Sequence, residues 1–234
     1  MLRMAFALVL ASVPLIVSAA HAEETPVVVE LFTSQGCSSC PPADAVLTDL
    51  AQQRADVLPL SFHVTYWNDL GWQDPFSLNE ATDRQRYYAR QLGDQLYTPQ
   101  MVVDGVRGFV GSRRAEALAE IASAKSAPVH VPLHLTRDGQ GFAITVAGGN
   151  GQGQLWLVGY DRAHETHIGR GENGGRTLHE SNIVRSFTPV GNWAGTALNL
   201  RHDRTAGEAF AVLLQAPDGQ ILGAARLSDR VAAN

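Results

Sequence analysis

Cys37 and Cys40 are the only cysteines in the chain, and they stand together in Gly36-Cys37-Ser38-Ser39-Cys40-Pro41, directly after the apolar run from Val27 to Phe32. A strand followed by a helix at this point sets both sulfurs at a helix N-terminus, where the partial positive charge favours thiolate over thiol. The chemistry this pattern suits is thiol and disulfide exchange. A bridge between residues three apart closes almost no loop and gives little entropic stabilisation, so a purely structural disulfide is the weaker reading. A structural zinc site needs four ligands. The sequence offers no second cysteine pair, and only His130 and His134 stand at suitable histidine spacing. A soft metal such as copper, held by Cys37, Cys40 and His63 in the reduced state, is a sharper rival.

The N-terminus bears on the compartment. Arg3, the apolar stretch from Met4 to Ala20 and the Ala20-His21-Ala22 signal together read as a secretory signal peptide over residues 1–22. The expectation is an exported chain, periplasmic or secreted, with no membrane span once the signal is removed. Loss of Arg3 takes the formal charge from −5 to −6, and the arginines form no stripe, which argues against non-specific nucleic-acid binding. Lys125 is the only lysine.

Several elements are needed to position the cysteines. The run from Val27 to Phe32, broken only by Glu30, predicts a strand buried on both faces. Ala43 to Gln52 has helical spacing, and Val57 to Val64 predicts a second strand, in the pattern of a βαβ unit. An aromatic connection follows, with Tyr66, Trp67 and Trp72. Either it walls the cleft and grips a peptide, or its rings pack two domains together. Ser77-Leu78-Asn79-Glu80 has the form of a capping box before a helix that stops at Gly93. Short strands from Met101 and Val106 flank the turn signal Asp104-Gly105, and Arg113 to Ala124 predicts a helix. From Val129 onwards the pattern changes to strands at short spacing: Val129 to Leu135, Phe142 to Val146, Gln154 to Tyr160, Ala209 to Leu214 and Ile221 to Leu227. Gly169 to Arg176 is glycine-rich but lacks the flanking strand and helix of a nucleotide loop, and is read as a loop against the first domain.

The order β-α-β-α-β-β-α, with Cys37-Ser38-Ser39-Cys40 at the first helix and Thr98-Pro99 before the third strand, resembles the thioredoxin-like superfamily. The resemblance implies that Pro99 is a cis-proline facing the cysteines, that Cys37 is the nucleophile and more exposed sulfur, and that Cys40 resolves the mixed disulfide. It also sets Glu30 close to where such proteins hold a buried carboxylate under the resolving cysteine. Glu30 is then either a proton relay with a raised pKa or a partly exposed acid at a strand edge. Thr98, Tyr66 and Trp67 are the implied substrate-binding residues. Two departures stand out. Pro41-Pro42 removes two early helix donors, so the first turn starts late or irregularly with Ser39 as a cap, and Asp44 opposes thiolate formation nearby. A narrower similarity, carried by Val29 to Asp44, Tyr66-Trp67, Tyr97-Thr98-Pro99-Gln100 and Gly171 to Leu178, is to the secreted bacterial family known as domain of unknown function 1223.

The expected fold is α/β, a thioredoxin-like domain over residues 23–126 followed by an antiparallel β-sandwich-like domain over residues 127–234. The expected function is an exported thiol:disulfide oxidoreductase acting on protein or peptide thiols and disulfides, with no cofactor and no metal. The alternative is a binding protein with an inert disulfide, or a copper-binding protein, on the same scaffold.

Overall fold

The computed structural model describes residues 25–126 and 131–227. The signal-peptide reading of residues 1–22 and His130 lie outside the described residues.

Strand β1 (Val27–Thr33) is buried along its whole length. Its alternate residues reach two different cores, which is why almost every position is apolar. Val27, Val29 and Leu31 pack with Ala43, Val46, Leu47 and Leu50 of helix α1 (Pro41–Gln53) and with Ala117 and Ile121 of α3 (Arg114–Lys125). Val28 and Phe32 turn to the opposite face, where Ala81 and Tyr88 of α2 (Asn79–Leu92) join them. Parallel pairing of β1 with β2 (Val57–His63) completes the βαβ unit, and β1 also pairs antiparallel with β3 (Gln100–Val103). Strand β4 (Arg107–Val110) follows β3 across a turn in which Asp104 and Gly105 both have positive φ, 44° and 72°, as a mirror-image hairpin turn requires.

The capping box does not form. Leu78 is the N-cap of α2 with no side-chain cap, and the Ser77 hydroxyl instead donates to the Asp74 carbonyl at 2.9 Å. The other end of α2 is as predicted, closed by Gly93 in the left-handed conformation.

Beyond residue 131 come β5 (Leu133–Asp138), β6 (Gly141–Val146), β7 (Gly153–His167), β8 (Thr177–Trp193), β9 (Leu198–His202), β10 (Ala209–Gln215) and β11 (Ile221–Arg226). They do not all form a sheet of their own. Four of them extend the first sheet, whose order is β11-β10-β7-β8-β2-β1-β3-β4, while β5, β6 and β9 make a second, three-stranded sheet. The two sheets share a core of Leu133, Leu135, Ile144, Leu155, Leu157, Phe210 and Val212, among others. The architecture is mixed α/β with one large sheet, antiparallel except where β2 pairs with β1 and β8.

The strand pairing that joins the halves is short, while an apolar core of Val28, Phe32, Leu58 and Phe62 with Val158, Val184 and Leu213 runs through both. Ser61 pairs with Ile183, and Asn182, at φ 50°, donates its side-chain amide to the Pro59 carbonyl at 2.8 Å. Strands β8 and β9 and the extension of β7 beyond Tyr160 were not predicted. Two register shifts in the β7–β8 ladder, together with Asn182 and Pro189, break the inside–outside alternation by which a strand is read.

Candidate functional site

Cys37 and Cys40 are joined in a disulfide, with S–S 2.12 Å and Cα–Cα 5.4 Å. The loop leaving β1 is held by its own bonds: Gly36 N–H donates to Ser34 Oγ at 3.1 Å, and Cys37 N–H to the Ser34 carbonyl at 3.1 Å. Helix α1 then begins immediately, with Cys40 as N-cap, Pro41 and Pro42 in its first two positions and no side-chain cap. This corrects the expected late start and the Ser39 cap. Prolines fit there because first-turn N–H groups have no intrahelical partner in any case. The Cys40 carbonyl accepts from Ala43 and Asp44 at 2.8 and 3.1 Å, and the Ser39 hydroxyl lies 3.4 Å from Cys37 Sγ.

The expectation that Cys37 is the exposed sulfur is overturned. Both cysteines have 0% exposure, although Ser38 and Ser39 between them are open to solvent. A segment from the far half of the chain reaches the loop. Asn173, itself wholly buried, donates its amide to the carbonyls of Gln35 and Cys37, each at 2.9 Å. Glu172 accepts from the Ser38 N–H at 3.1 Å, and hydrogen bonding from the Ser38 side chain and this N–H lowers its pKa. The glycine-rich stretch is thus a loop against the first half, as read from the sequence.

Thr98-Pro99 is a cis peptide. Pairing of Phe32 with Gln100 sets Pro99 beside the end of β1 from which the cysteine loop departs. Trp67 donates its indole N–H to Thr98 Oγ1 at 2.8 Å, and its Cβ lies 3.3 Å from where a Cβ on Gly36 would be, so the aromatic connection borders the cysteine loop. Tyr66 donates to Gln85 at 3.1 Å and stays 37% exposed, near the exposed Leu70 in the chain.

Glu30 is elsewhere. It shares the β1 face of Val28 and Phe32, while α1 and the disulfide belong to the other face. Its carboxylate is gripped by the Arg84 guanidinium through Nε and, at 2.9 Å, Nη2, and it accepts from the Tyr88 hydroxyl. A buried acid so paired is no strand-edge acid, and its partners are those of an ion pair rather than a relay to Cys40. Arg84 also lies 4.4 Å over the Phe187 ring and donates to Gln215 at 3.1 Å, locking α2 to the sheet.

On the cysteine side, Asp44 and His63, which the sequence singles out, meet Asp74 and Glu180, which the sequence reading missed. Asp44, one turn along α1 from Cys40, is buried and accepts from Thr33 Oγ1 at 2.8 Å. Burial pushes its pKa up to about 8, with the nearby Glu180 carboxylate adding to the rise. His63, at the end of β2, has its Nδ1 2.7 Å from Asp74 Oδ2, and its Nε2 lies 3.6 Å from Glu180 Oε1. Burial opposes charge on this ring, but Asp74 and Glu180 outweigh it and raise His63 to about 9. Burial drives Asp74 up, yet His63 and the N–H groups of Gln35 and Phe76 hold it below the usual carboxylate range. Burial raises Glu180, which accepts from Gln35 Nε2 at 2.6 Å. Neither His63 Nε2 nor Glu180 Oε1 makes a hydrogen bond; the two face each other only as this ion pair.

The signal for Asp44 was present in the sequence. It falls in the stripe Ala43-Asp44-Leu47-Leu50 on the buried side of α1, an acid at a core position. Glu180 shares inward parity with Leu178, but the strand that carries it was not recognised. Asp74, Asn173 and Glu172 come from loops and gave no periodic signal.

No cluster of three or more His, Cys, Asp or Glu able to hold a metal occurs among the described residues. Nor is any helix among them long and apolar enough to cross a membrane. A cavity of about 840 Å³ lies between α2, the β7–β8 pair and the turn after β10, with Arg84, Trp156 and Phe187 in its lining. None of the residues 34–40 lines it.

Two solved structures resemble nearly the whole chain. Protein AGR_C_4864 from Agrobacterium tumefaciens has a crystal structure that superposes with a TM-score of 0.78 at 30% identity, covering 91% of this chain and 99% of that one. HBP35 of Porphyromonas gingivalis gives a TM-score of 0.58 at 14% identity, over 90% of this chain and 80% of that one, a likeness of fold alone. No curated protein matches. The family described as protein of unknown function (DUF1223) matches residues 28–215, a span that holds the disulfide, the cis-proline, the buried acids and the loop that covers them, and the chain belongs to it.

Proposed function

We propose that this protein is an exported thiol:disulfide oxidoreductase of thioredoxin-like type, with residues 23–126 carrying the redox pair and the β-rich residues 127–234 shaping its access. The observation that carries the reading is the Cys37–Cys40 disulfide at the start of α1 with the buried Asp44 carboxyl one turn below it. A CxxC bridge in a domain with an ample core adds little stability and is suited to exchange.

In the reduced protein, the Cys37 thiolate attacks one sulfur of a substrate disulfide. A Cys37–substrate bond forms and the first substrate sulfur leaves as a thiolate. Cys40 then gives up its proton and attacks Cys37 Sγ; the second substrate sulfur leaves, and two electrons have passed from the dithiol to the substrate. Asp44, with a pKa near 8, sits in the range where a carboxyl can take that proton near neutral pH. The His63–Asp74 pair and Glu180 set the field around it. We assign the relay to Asp44 rather than Glu30, whose charge is committed to Arg84. Thr98, Tyr66 and Trp67 border the loop from which a peptide would be held.

A second reading, an inert disulfide on a binding scaffold, is favoured by one observation, the complete burial of both sulfurs. Kinetics with a reference disulfide separate the two. The reduced protein is expected to reduce it, Cys37→Ser to abolish the reaction, and Cys40→Ser to accumulate a mixed disulfide. A mildly reduced native protein whose two cysteines resist both alkylation and exchange would rule the redox reading out.

A further inference from the structure

Exchange needs an incoming thiolate to approach Cys37 Sγ in line with the bond to Cys40. With both cysteines at 0% exposure, this conformation admits no such approach. Two side chains from the far half of the chain hold the loop that carries the disulfide. Asn173 spends both amide N–H groups on the Gln35 and Cys37 carbonyls, and its own Oδ1 accepts from Arg176 Nη1 at 2.9 Å. Glu172 takes the Ser38 N–H. Glu172 and Asn173 therefore satisfy two acceptors and one donor of the backbone from Gln35 to Ser38, with no neighbouring strand involved. The Cys37 carbonyl and the Ser38 N–H are the two ends of one trans peptide and point apart, so a polypeptide arriving on the Asn173 side replaces Asn173 by offering a backbone N–H to the Gln35 or Cys37 carbonyl.

The covering segment is built as a separate turn. Ile168 and Arg176 bond to each other, Gly175 N–H donates to the Ile168 carbonyl at 2.8 Å, and Gly174 N–H to that of Gly171 at 3.0 Å. Gly171 and Gly175 have φ of 79° and 80°, and Gly171 lies against Gly71, where a Cβ on the latter would meet its Cα at 3.2 Å. The tip has only Gly71 and Trp72 to part from on this side, while Ile168 at the base of the turn is wholly buried and stays as its anchor. The turn can part from the cysteine loop without breaking the β7–β8 ladder, which ends at His167 and Thr177.

We propose that residues 169–176 are a latch over the disulfide, with Glu172 and Asn173 as its hooks, and that the substrate is a polypeptide whose backbone takes the place of Asn173 on the Gln35 or Cys37 carbonyl. This rests on the redox reading above. In the oxidising direction, a cysteine thiolate of that polypeptide bonds to Cys37 Sγ and Cys40 leaves with the electron pair. A second cysteine of the same polypeptide then attacks the mixed disulfide and frees Cys37. The polypeptide dithiol is oxidised to its disulfide, and the protein's disulfide is reduced.

The test follows reduction of the oxidised protein by dithiothreitol and by an unstructured peptide holding two cysteines. Wild type is compared with Glu172→Ala, whose side chain is at the surface, and with Glu172→Ala/Asn173→Ala. Hydrogen exchange at Ser38 gives an independent measure of the open state. With three hydrogen bonds removed, dithiothreitol is expected to react on the order of tenfold faster or more in the double variant, and severalfold faster in the single one. The peptide, which opens the latch itself, gains less, so its advantage over dithiothreitol shrinks. Equal dithiothreitol rates in all three proteins, or a wild type that favours dithiothreitol over the peptide, would overturn the latch and leave the redox reading standing. If no thiol reduces any of the three short of denaturation, the redox reading fails and the latch with it.

Discussion

Asp44→Asn gives the sharpest test of the buried acid cluster. In the unfolded chain Asp44 has the ordinary aspartate pKa, 3.8, while in the folded protein burial and Glu180 raise it to about 8. Between those values the folded state holds a proton that the unfolded state has lost. The unfolded state thus binds fewer protons, and stability falls as pH rises through the window from 3.8 to about 8. The full interval corresponds to ~6 kcal/mol as an upper bound, since one pKa unit is about 1.4 kcal/mol. Asparagine keeps the shape and the acceptor for Thr33 but cannot ionise. Urea unfolding of the oxidised protein and of Asp44→Asn at several pH values gives the difference directly, because most other titrations are common to both. His63 changes charge in the unfolded chain near 6.5, so pH 4.5 to 6 is the cleanest interval. There the variant should gain on wild type by about 1.4 kcal/mol per pH unit, the slope of one proton. A difference that stays flat over that interval would show that Asp44 ionises in the fold as it does in water, and the relay assigned to it would lose its basis.

Two further outcomes test the framework around the site. Arg84→Met should destabilise the protein by about 3 to 5 kcal/mol in denaturant titrations because it strands the buried Glu30, while Glu30→Leu/Arg84→Met should recover most of the loss. The double change should leave Cys40 reactivity in the reduced protein unaltered, as expected of a pair on the other face of β1. Gly105→Ala should lower stability by about 2 to 4 kcal/mol, from the positive φ of 72° and the collision of its Cβ with the Gly219 carbonyl oxygen. Thermal unfolding measures it, and a loss below 1 kcal/mol would show that the turn after β10 does not press on the β3–β4 hairpin.

Local chemistry carried much of the fold into the sequence. The doubly buried β1, the stripe of α1, the Gly93 stop and the Asp104-Gly105 turn each depend on residues close in the chain, so pattern and propensity find them. The capping box failed because Ser77 has a better partner, the Asp74 carbonyl three residues back, in a loop whose shape is set by His63 and Gln35 holding the Asp74 side chain. Glu30 was rightly singled out as a buried acid in a strand. Its role depended on which face it took and on Arg84, 54 residues away, which no local pattern supplies.

The amino-acid sequence by itself determined that Cys37 and Cys40 stand as a close pair directly after a buried strand, because their types, spacing and position are local facts. The joining of β8 to β2, which brings Glu180 to His63, was decided only in three dimensions, as was the reach of Asn173 across 136 residues to the Cys37 carbonyl. Burial and charge pairing are properties of surroundings rather than of residues. Whether a thiol is open, a carboxyl holds its proton or an imidazole is charged depends on which groups the folded chain brings within a few ångströms.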